Sequence, residues 1–293
     1  MSAPVVLARR AALADYLELT KPRITVMVML TTMVGFVMGS AEHVRLPGLV
    51  AVLVGTGLVA AGASTLNMLL ERRTDALMHR TRNRPLPAGR LRPSDVLAWG
   101  FVLTALGVLV LGWRAGTLAT GVALVTWLSY LLFYTPLKPL TSLSTVVGAL
   151  PGALPPVIGW AAARGSLDPG AFVLFAILFL WQIPHFLAIA WIYREDYARG
   201  GLPMLPVLDP EGKVTGRQAV ANSLALLLVS LTPRAAGMAG TAYLVGAVVL
   251  GLAFTAVAFR AAALRSAPAA RRLFLASIVY LASLCALLIA DRV

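Results

Sequence analysis

Residues 46–70 read LPGLVAVLVGTGLVAAGASTLNMLL and run without a break into residues 71–87, ERRTDALMHRTRNRPLP. The first 25 residues carry no charge, and a helix needs only about 20 apolar residues to cross a bilayer. The second part turns abruptly polar: Glu71 and Asp75 follow Asn67 of the first part, and a cluster of arginines comes after them. This one stretch predicts a transmembrane helix that delivers a charged site to one membrane face.

Working outward, the same apolar pattern recurs along the chain. Of 293 residues 59% are hydrophobic and 13% charged, where a soluble domain carries about 25% charged residues. Mean hydropathy is +0.84. The length alone would suggest roughly two soluble domains, but the apolar blocks cover the whole chain. Spans are predicted at 24–39, 46–70, 95–112, 118–134, 144–163, 171–191, 218–232, 238–259 and 273–290. The reading is an all-α polytopic membrane protein, one integral-membrane domain over residues 1–293 with nine transmembrane helices.

Charge sets the expected orientation. The formal net charge is +13, from 25 Lys+Arg against 12 Asp+Glu. With nine crossings and the N-terminus inside, 20 of the basic residues fall on the inner side. Only Arg45, Arg114, Arg164, Arg234 and Arg292 fall outside. Residues 1–23 mix Arg9, Arg10, Lys21 and Arg23 with Asp15 and Glu18, and no cleavable apolar leader precedes the first span. The expectation is a bacterial inner-membrane protein with a cytoplasmic N-terminal segment (1–23) and its C-terminus outside. Basic residues dispersed over alternate loops exclude a nucleic-acid binder. The single Cys285 excludes an internal disulfide.

Two inner loops, 71–93 and 191–217, are longer than turns and mix acids with bases. Entering the first, Asn67, Glu71 and Asp75 recur every fourth residue, so on a continuing helix they stack along one face with a drift of about 40° per step. Oxygen donors in that array suit a hard cation such as Mg²⁺, which takes one or two carboxylates plus water and substrate phosphate. The spacing suits equally a polar helix end with local ion pairs to arginine. Arg80, Arg82 and Arg84 follow directly, and guanidinium forks bind phosphate. Acids for a metal and arginines for phosphate within so few residues point to a metal–diphosphate site on the cytoplasmic side.

The pattern Asn67-x3-Glu71-x3-Asp75 followed by Asn83-Arg84-Pro85-Leu86 resembles the first signature of the UbiA-type intramembrane prenyltransferases. Glu71 stands where that family usually has Asp. Three further stretches match in order: Tyr134-Thr-Pro-Leu-Lys138, Gly152 to Trp160, and Trp181-Gln-Ile-Pro-His185-Phe186 running on to Asp196-Tyr197 and Pro206. Together they resemble the branch of the superfamily that farnesylates haem B. Many relatives carry a second Asp-x3-Asp; here Ile192 stands four positions before Asp196, and Glu195 would point about 100° away on a helix.

The resemblance implies a UbiA-type helical bundle whose substrates are farnesyl diphosphate and haem B, with water, giving haem O and diphosphate. It implies Mg²⁺ held by Asn67, Glu71, Asp75 and Asp196, with Lys138 also catalytic. It implies diphosphate bound by Lys21, Arg23, Arg80, Arg82, Arg84 and Lys138. Tyr134, Trp181, His185, Phe186 and Tyr197 become the candidate lining of a haem and prenyl pocket. His185 has three readings: a haem contact, a proton carrier, or a satisfied packing residue. With no facing His pair and no Cys-x-x-Cys-His, haem is expected as substrate and not as prosthetic group. A haem A synthase or terminal oxidase is the implied partner. The rivals are a UbiA-type enzyme with a quinone-precursor acceptor, and a transporter; a transporter site would lie at mid-membrane depth in both halves.

Overall fold

The computed structural model describes residues 13–41 and 43–293. Arg9, Arg10 and Glu42, which enter the predicted charge balance, lie outside the described residues. Among the described residues nine helices are long and apolar enough to cross a membrane. They are α1 (Pro22–Gly39), α2 (Leu46–Leu77), α3 (Pro93–Arg114), α4 (Thr117–Leu137), α5 (Ser144–Arg164), α6 (Pro169–Ile192), α7 (Lys213–Ala235), α8 (Thr241–Leu264) and α9 (Ala267–Ala290). A short helix, Leu13–Leu19, precedes α1, and another, Arg194–Arg199, follows α6.

The nine spans agree with the sequence reading, but three differ in detail. α2 continues unbroken to Leu77, seven residues past the expected end, so the polar array is truly helical. α5 is broken between Ala153 and Pro155, because the paired prolines withdraw backbone donors there. In α4 the α-helix ends at Leu128 and gives way to a π-helical turn over Ser129–Tyr134. No feature of the sequence announced that turn.

Packing between spans relies on small residues, since lipid tails give apolar side chains no incentive to leave the bilayer for each other. α2 packs along α3 through Gly55 and Gly62 against Gly107 and Gly100. A Cβ on Gly62 would lie 2.7 Å from the Gly100 carbonyl oxygen, and one on Gly107 2.7 Å from that of Gly55. α1 closes in the same way on the second half of α5, where a Cβ on Gly159 would meet the Thr32 carbonyl oxygen at 2.0 Å. α6 packs on α7 and α9, α8 packs on both α7 and α9, and α9 touches α1, closing the ring.

Nine antiparallel crossings leave the start of α1 and the end of α9 at opposite ends. At the far end Arg292 donates to the carbonyls of Val37, in the last turn of α1, and Ala41, just after it. At the near end the start of α1, the ends of α2, α4 and α6, and their two long loops come together.

Candidate active site

The near end holds a compact cluster built on the last turns of α2. Asn67 and Asp75 are each 1% exposed. Lys21 is the residue before α1 and sits in the left-handed region with φ 46°. That strained turn carries its ammonium to Asn67 Oδ1 at 2.8 Å. Glu71 Oε1 takes an ion pair from Lys138 Nζ at 2.9 Å, from just beyond the end of α4. Asp75 Oδ2 takes one from Arg84 Nη1 at 2.7 Å. Thr81 Oγ1 donates to the Asp75 carbonyl, so the loop folds back onto the helix that precedes it.

Three cations from three separate segments therefore surround two carboxylates. Burial is the main force lowering the Lys21 pKa, to about 8, with Arg84 and Lys138 adding to it against the attraction of Glu71 and Asp75. For Lys138 burial acts in the same direction, but Tyr134 and Glu71 outweigh it and raise its pKa above the ordinary lysine value. Asp75 Oδ1 is buried and has no hydrogen-bond partner among the described residues. A buried carboxylate oxygen left unpaired is costly, and it is a vacant acceptor of the kind a hard cation takes. Among the described residues no three His, Cys, Asp or Glu side chains converge. The donor set is one amide and two carboxylates, which fits Mg²⁺ completing its shell with water and phosphate.

Asp196 has another attachment. Its carboxylate accepts the backbone N–H of His79 at 3.0 Å and of Arg80 at 3.1 Å, and it pairs with Arg199. Burial works to raise its pKa, and these donors more than reverse that, holding it below the usual aspartate value. It thus clasps the loop that carries the arginines, and no hydrogen bond joins it to Asn67, Glu71 or Asp75. To serve as a metal ligand it would have to share or release those bonds. Glu195 is exposed beside it.

Arg80 lies over the ring of Tyr193 at 5.0 Å and that of Tyr197 at 6.0 Å. Arg82 and Arg23 are exposed and form no ion pair among the described residues. Tyr134 lies under Lys138, with the ammonium 5.9 Å from the ring centre, and stacks on Tyr130 at 5.4 Å. Sequence reasoning missed Tyr130, and it missed Thr135, whose hydroxyl is 3.0 Å from Asn67 Nδ2. Thr135 lies inside the motif Tyr134 to Lys138, which was its only signal.

Trp181, His185 and Phe186 form a second cluster, away from the acids. His185 lies seven residues before the end of α6, about 10 Å along the helix. Its ring is stacked on Trp181 at 4.8 Å and approaches Phe274 of α9 at 5.0 Å, with Phe186 edge-on at 5.6 Å. Ser277 Oγ donates its one proton to the Phe274 carbonyl at 2.6 Å. The 2.7 Å contact between His185 Nδ1 and Ser277 Oγ therefore has Nδ1–H as donor. That leaves Nε2 with a lone pair and no protein partner in the described contacts. Trp181 Nε1 donates to the Ser277 carbonyl at 2.6 Å, which fixes the same segment of α9.

Among the described residues, nine spanning helices bring a buried acid–cation cluster to one end of the bundle. The chain belongs to the UbiA prenyltransferase family, whose sequence pattern matches residues 28–284. It is 47% identical over 287 residues to a protein from Solibacter usitatus called Protoheme IX farnesyltransferase, covering 95% of this chain and 98% of that one. A protein of the same name from Salinibacter ruber is 44% identical over 279 residues, covering 94% and 98%. Among solved structures, a digeranylgeranylglyceryl phosphate synthase superposes with a TM-score of 0.80 at 16% identity, covering 95% of this chain and 98% of that one. A UbiA homologue from Archaeoglobus fulgidus bound to GPP and Mg²⁺ superposes with a TM-score of 0.69 at 18% identity, covering 94% and 99%. These two likenesses establish the fold.

Proposed function

We propose that this protein transfers the farnesyl group of farnesyl diphosphate to a vinyl group of haem B, with addition of water, giving haem O and diphosphate. The observation that carries the acceptor is the identity of over 40%, across nearly the whole chain, to proteins named for this activity. The site supports it: a buried acid–cation cluster for the diphosphate, and an aromatic-flanked His185 deeper in the bundle. A quinone-precursor acceptor and a transport role have no comparable observation behind them.

Asn67, Glu71 and Asp75 would hold Mg²⁺, with Asp75 Oδ1 as an acceptor unpaired among the described residues. When bound, the ion supplies Lewis-acid stabilisation of the departing diphosphate. The chain's own residues do the rest. Lys138 and Arg84, held beside Glu71 and Asp75, would supply counter-charge to the diphosphate oxygens as negative charge gathers there. Lys21, Arg80, Arg82 and, more peripherally, Arg23 extend that field. Asp196 holds the backbone of His79 and Arg80 and so fixes where the arginines point. Tyr134 and Tyr197 wall the cluster and exclude water from the allylic cation until the vinyl carbon has attacked. His185 presents Nε2 to the haem, and Trp181 and Phe186 flank it.

The positive-inside distribution supports a cytoplasmic site and N-terminus and an external C-terminus. The family match over residues 28–284 and the bacterial relatives support a single domain over residues 1–293 in a bacterial inner membrane. A haem A synthase or terminal oxidase is the expected recipient of the product. The deciding experiment incubates purified protein with haem B, farnesyl diphosphate and Mg²⁺ and measures the mass of the extracted haem. A hydroxyethylfarnesyl product is expected. Unchanged haem, with prenylation of a phenolic acceptor under the same conditions, would overturn the assignment.

A further inference from the structure

The Asn67 amide is oriented at one end by the Lys21 ammonium and at the other by a residue that is neither an acid nor a cation. Thr135 is 6% exposed, and its hydroxyl donates its single proton to the Tyr130 carbonyl at 2.8 Å. Towards Asn67 that oxygen has only lone pairs, so it accepts Nδ2–H at 3.0 Å. Oδ1 is then turned the other way, where it accepts the Lys21 ammonium at 2.8 Å. Flipping the amide would set Oδ1 against a hydroxyl with no proton to give and Nδ2 against an ammonium. Both contacts would be lost together, in a place water barely reaches.

Thr135 reaches Asn67 because of the π-turn immediately before it. A π-turn adds one residue relative to the α-helix, so every following side chain is rotated by about 100°. Thr135 and Lys138 are three residues apart and share a face. The same rotation therefore aims Thr135 at Asn67 and Lys138 at Glu71.

We propose that Thr135 is a positioning residue of the cation site, holding the Asn67 amide by Nδ2 so that Oδ1 would be available to a cation, and that the π-turn Ser129–Tyr134 is the device that brings it there. This rests on the reading that Asn67, Glu71 and Asp75 hold a divalent cation. The test titrates Mn²⁺ into the purified full-length protein and follows binding by electron paramagnetic resonance. Thr135→Val keeps the shape and removes the hydroxyl. It should weaken Mn²⁺ binding roughly 3- to 10-fold, the range for one neutral hydrogen bond. Thr135→Ser should stay within about twofold of the wild type, since the hydroxyl is kept. In an Asn67→Ala background the Val substitution should add less than about twofold, because the two residues act as one unit. In turnover, the Mg²⁺ dependence should shift by more than kcat. Thr135→Ala carries the same expectation and serves if Thr135→Val does not accumulate in the membrane.

Wild-type Mn²⁺ affinity in Thr135→Val, an equal loss in Thr135→Ser, or a full additive loss on top of Asn67→Ala would each overturn the proposal. Wild-type Mn²⁺ binding in both Asn67→Ala and Glu71→Gln would instead overturn the ligand assignment beneath it.

Discussion

The Glu71–Lys138 pair separates a structural from a catalytic role when its charges are exchanged. The two side chains are 11% and 14% exposed, and their charged atoms are 2.9 Å apart. At an effective dielectric of about 20 the attraction is about 6 kcal/mol. Desolvation of both groups offsets much of it, so the pair's net contribution is small. Removing one partner is different, because a nearly buried charge is left alone, at a cost of about 3–5 kcal/mol for a fully buried pair and somewhat less here. Glu71→Gln and Lys138→Met should therefore each lower the thermal midpoint measurably in detergent. The exchanged variant, Glu71→Lys with Lys138→Glu, rebuilds the ion pair and should recover most of that stability. Its activity should stay at least about a hundredfold down, since the carboxylate then sits on the element that should meet diphosphate and the ammonium on the one that should meet the metal. The assays are a thermal melt and the mass of haem extracted after turnover. Recovery of both stability and turnover in the exchanged variant would refute the reasoning, and would make the pair a structural tie.

Other consequences follow from the same geometry. Arg82→Ala removes an exposed guanidinium that forms no ion pair among the described residues, so its melt should be unchanged while KM for farnesyl diphosphate rises about tenfold or more, the worth of a charge-assisted hydrogen bond. Asp196→Ala frees the His79 and Arg80 amides and should loosen residues 79–84, read as faster hydrogen exchange there together with a raised KM. Gly62→Leu should block the α2–α3 contact, where even a Cβ would lie 2.3 Å from Thr104 Oγ1, and should lower the yield of folded protein. Retention of normal yield and melt would mean the two helices are not packed as described.

The sequence carried the parts of this site that are local. Asn67, Glu71 and Asp75 lie on one continuous helix, so a spacing of four was enough to put them on one face. The arginines follow within a few residues, and the alternation of apolar runs fixed nine spans. What was hidden depends on contacts far apart in the chain. Asp196 reaches the amide of Arg80 across 116 residues, and no local pattern distinguishes a carboxylate that clasps a loop from one that awaits a metal. His185 meets Ser277 across 92 residues, so the state of its ring could not be read from the motif around it. The π-turn is a matter of one backbone register within an evenly apolar helix, and residues 129–134 show neither proline nor glycine to mark it. The break in α5 was written in Pro155 and Pro156, yet the apolar run passes straight through them.

The central claim is that the acids of α2 take a divalent cation together with the prenyl diphosphate, and Asp75 tests it most directly. Its Oδ1 is a buried carboxylate oxygen without a partner among the described residues, while Oδ2 holds Arg84. The measurement is Mn²⁺ binding to purified protein, with and without an unreactive farnesyl diphosphate analogue, in wild type and Asp75→Asn. The account predicts that the analogue tightens Mn²⁺ binding in the wild type and that Asp75→Asn abolishes both the binding and the coupling while the protein remains folded. Mn²⁺ bound equally well by a folded Asp75→Asn variant, with the analogue's effect intact, would contradict it.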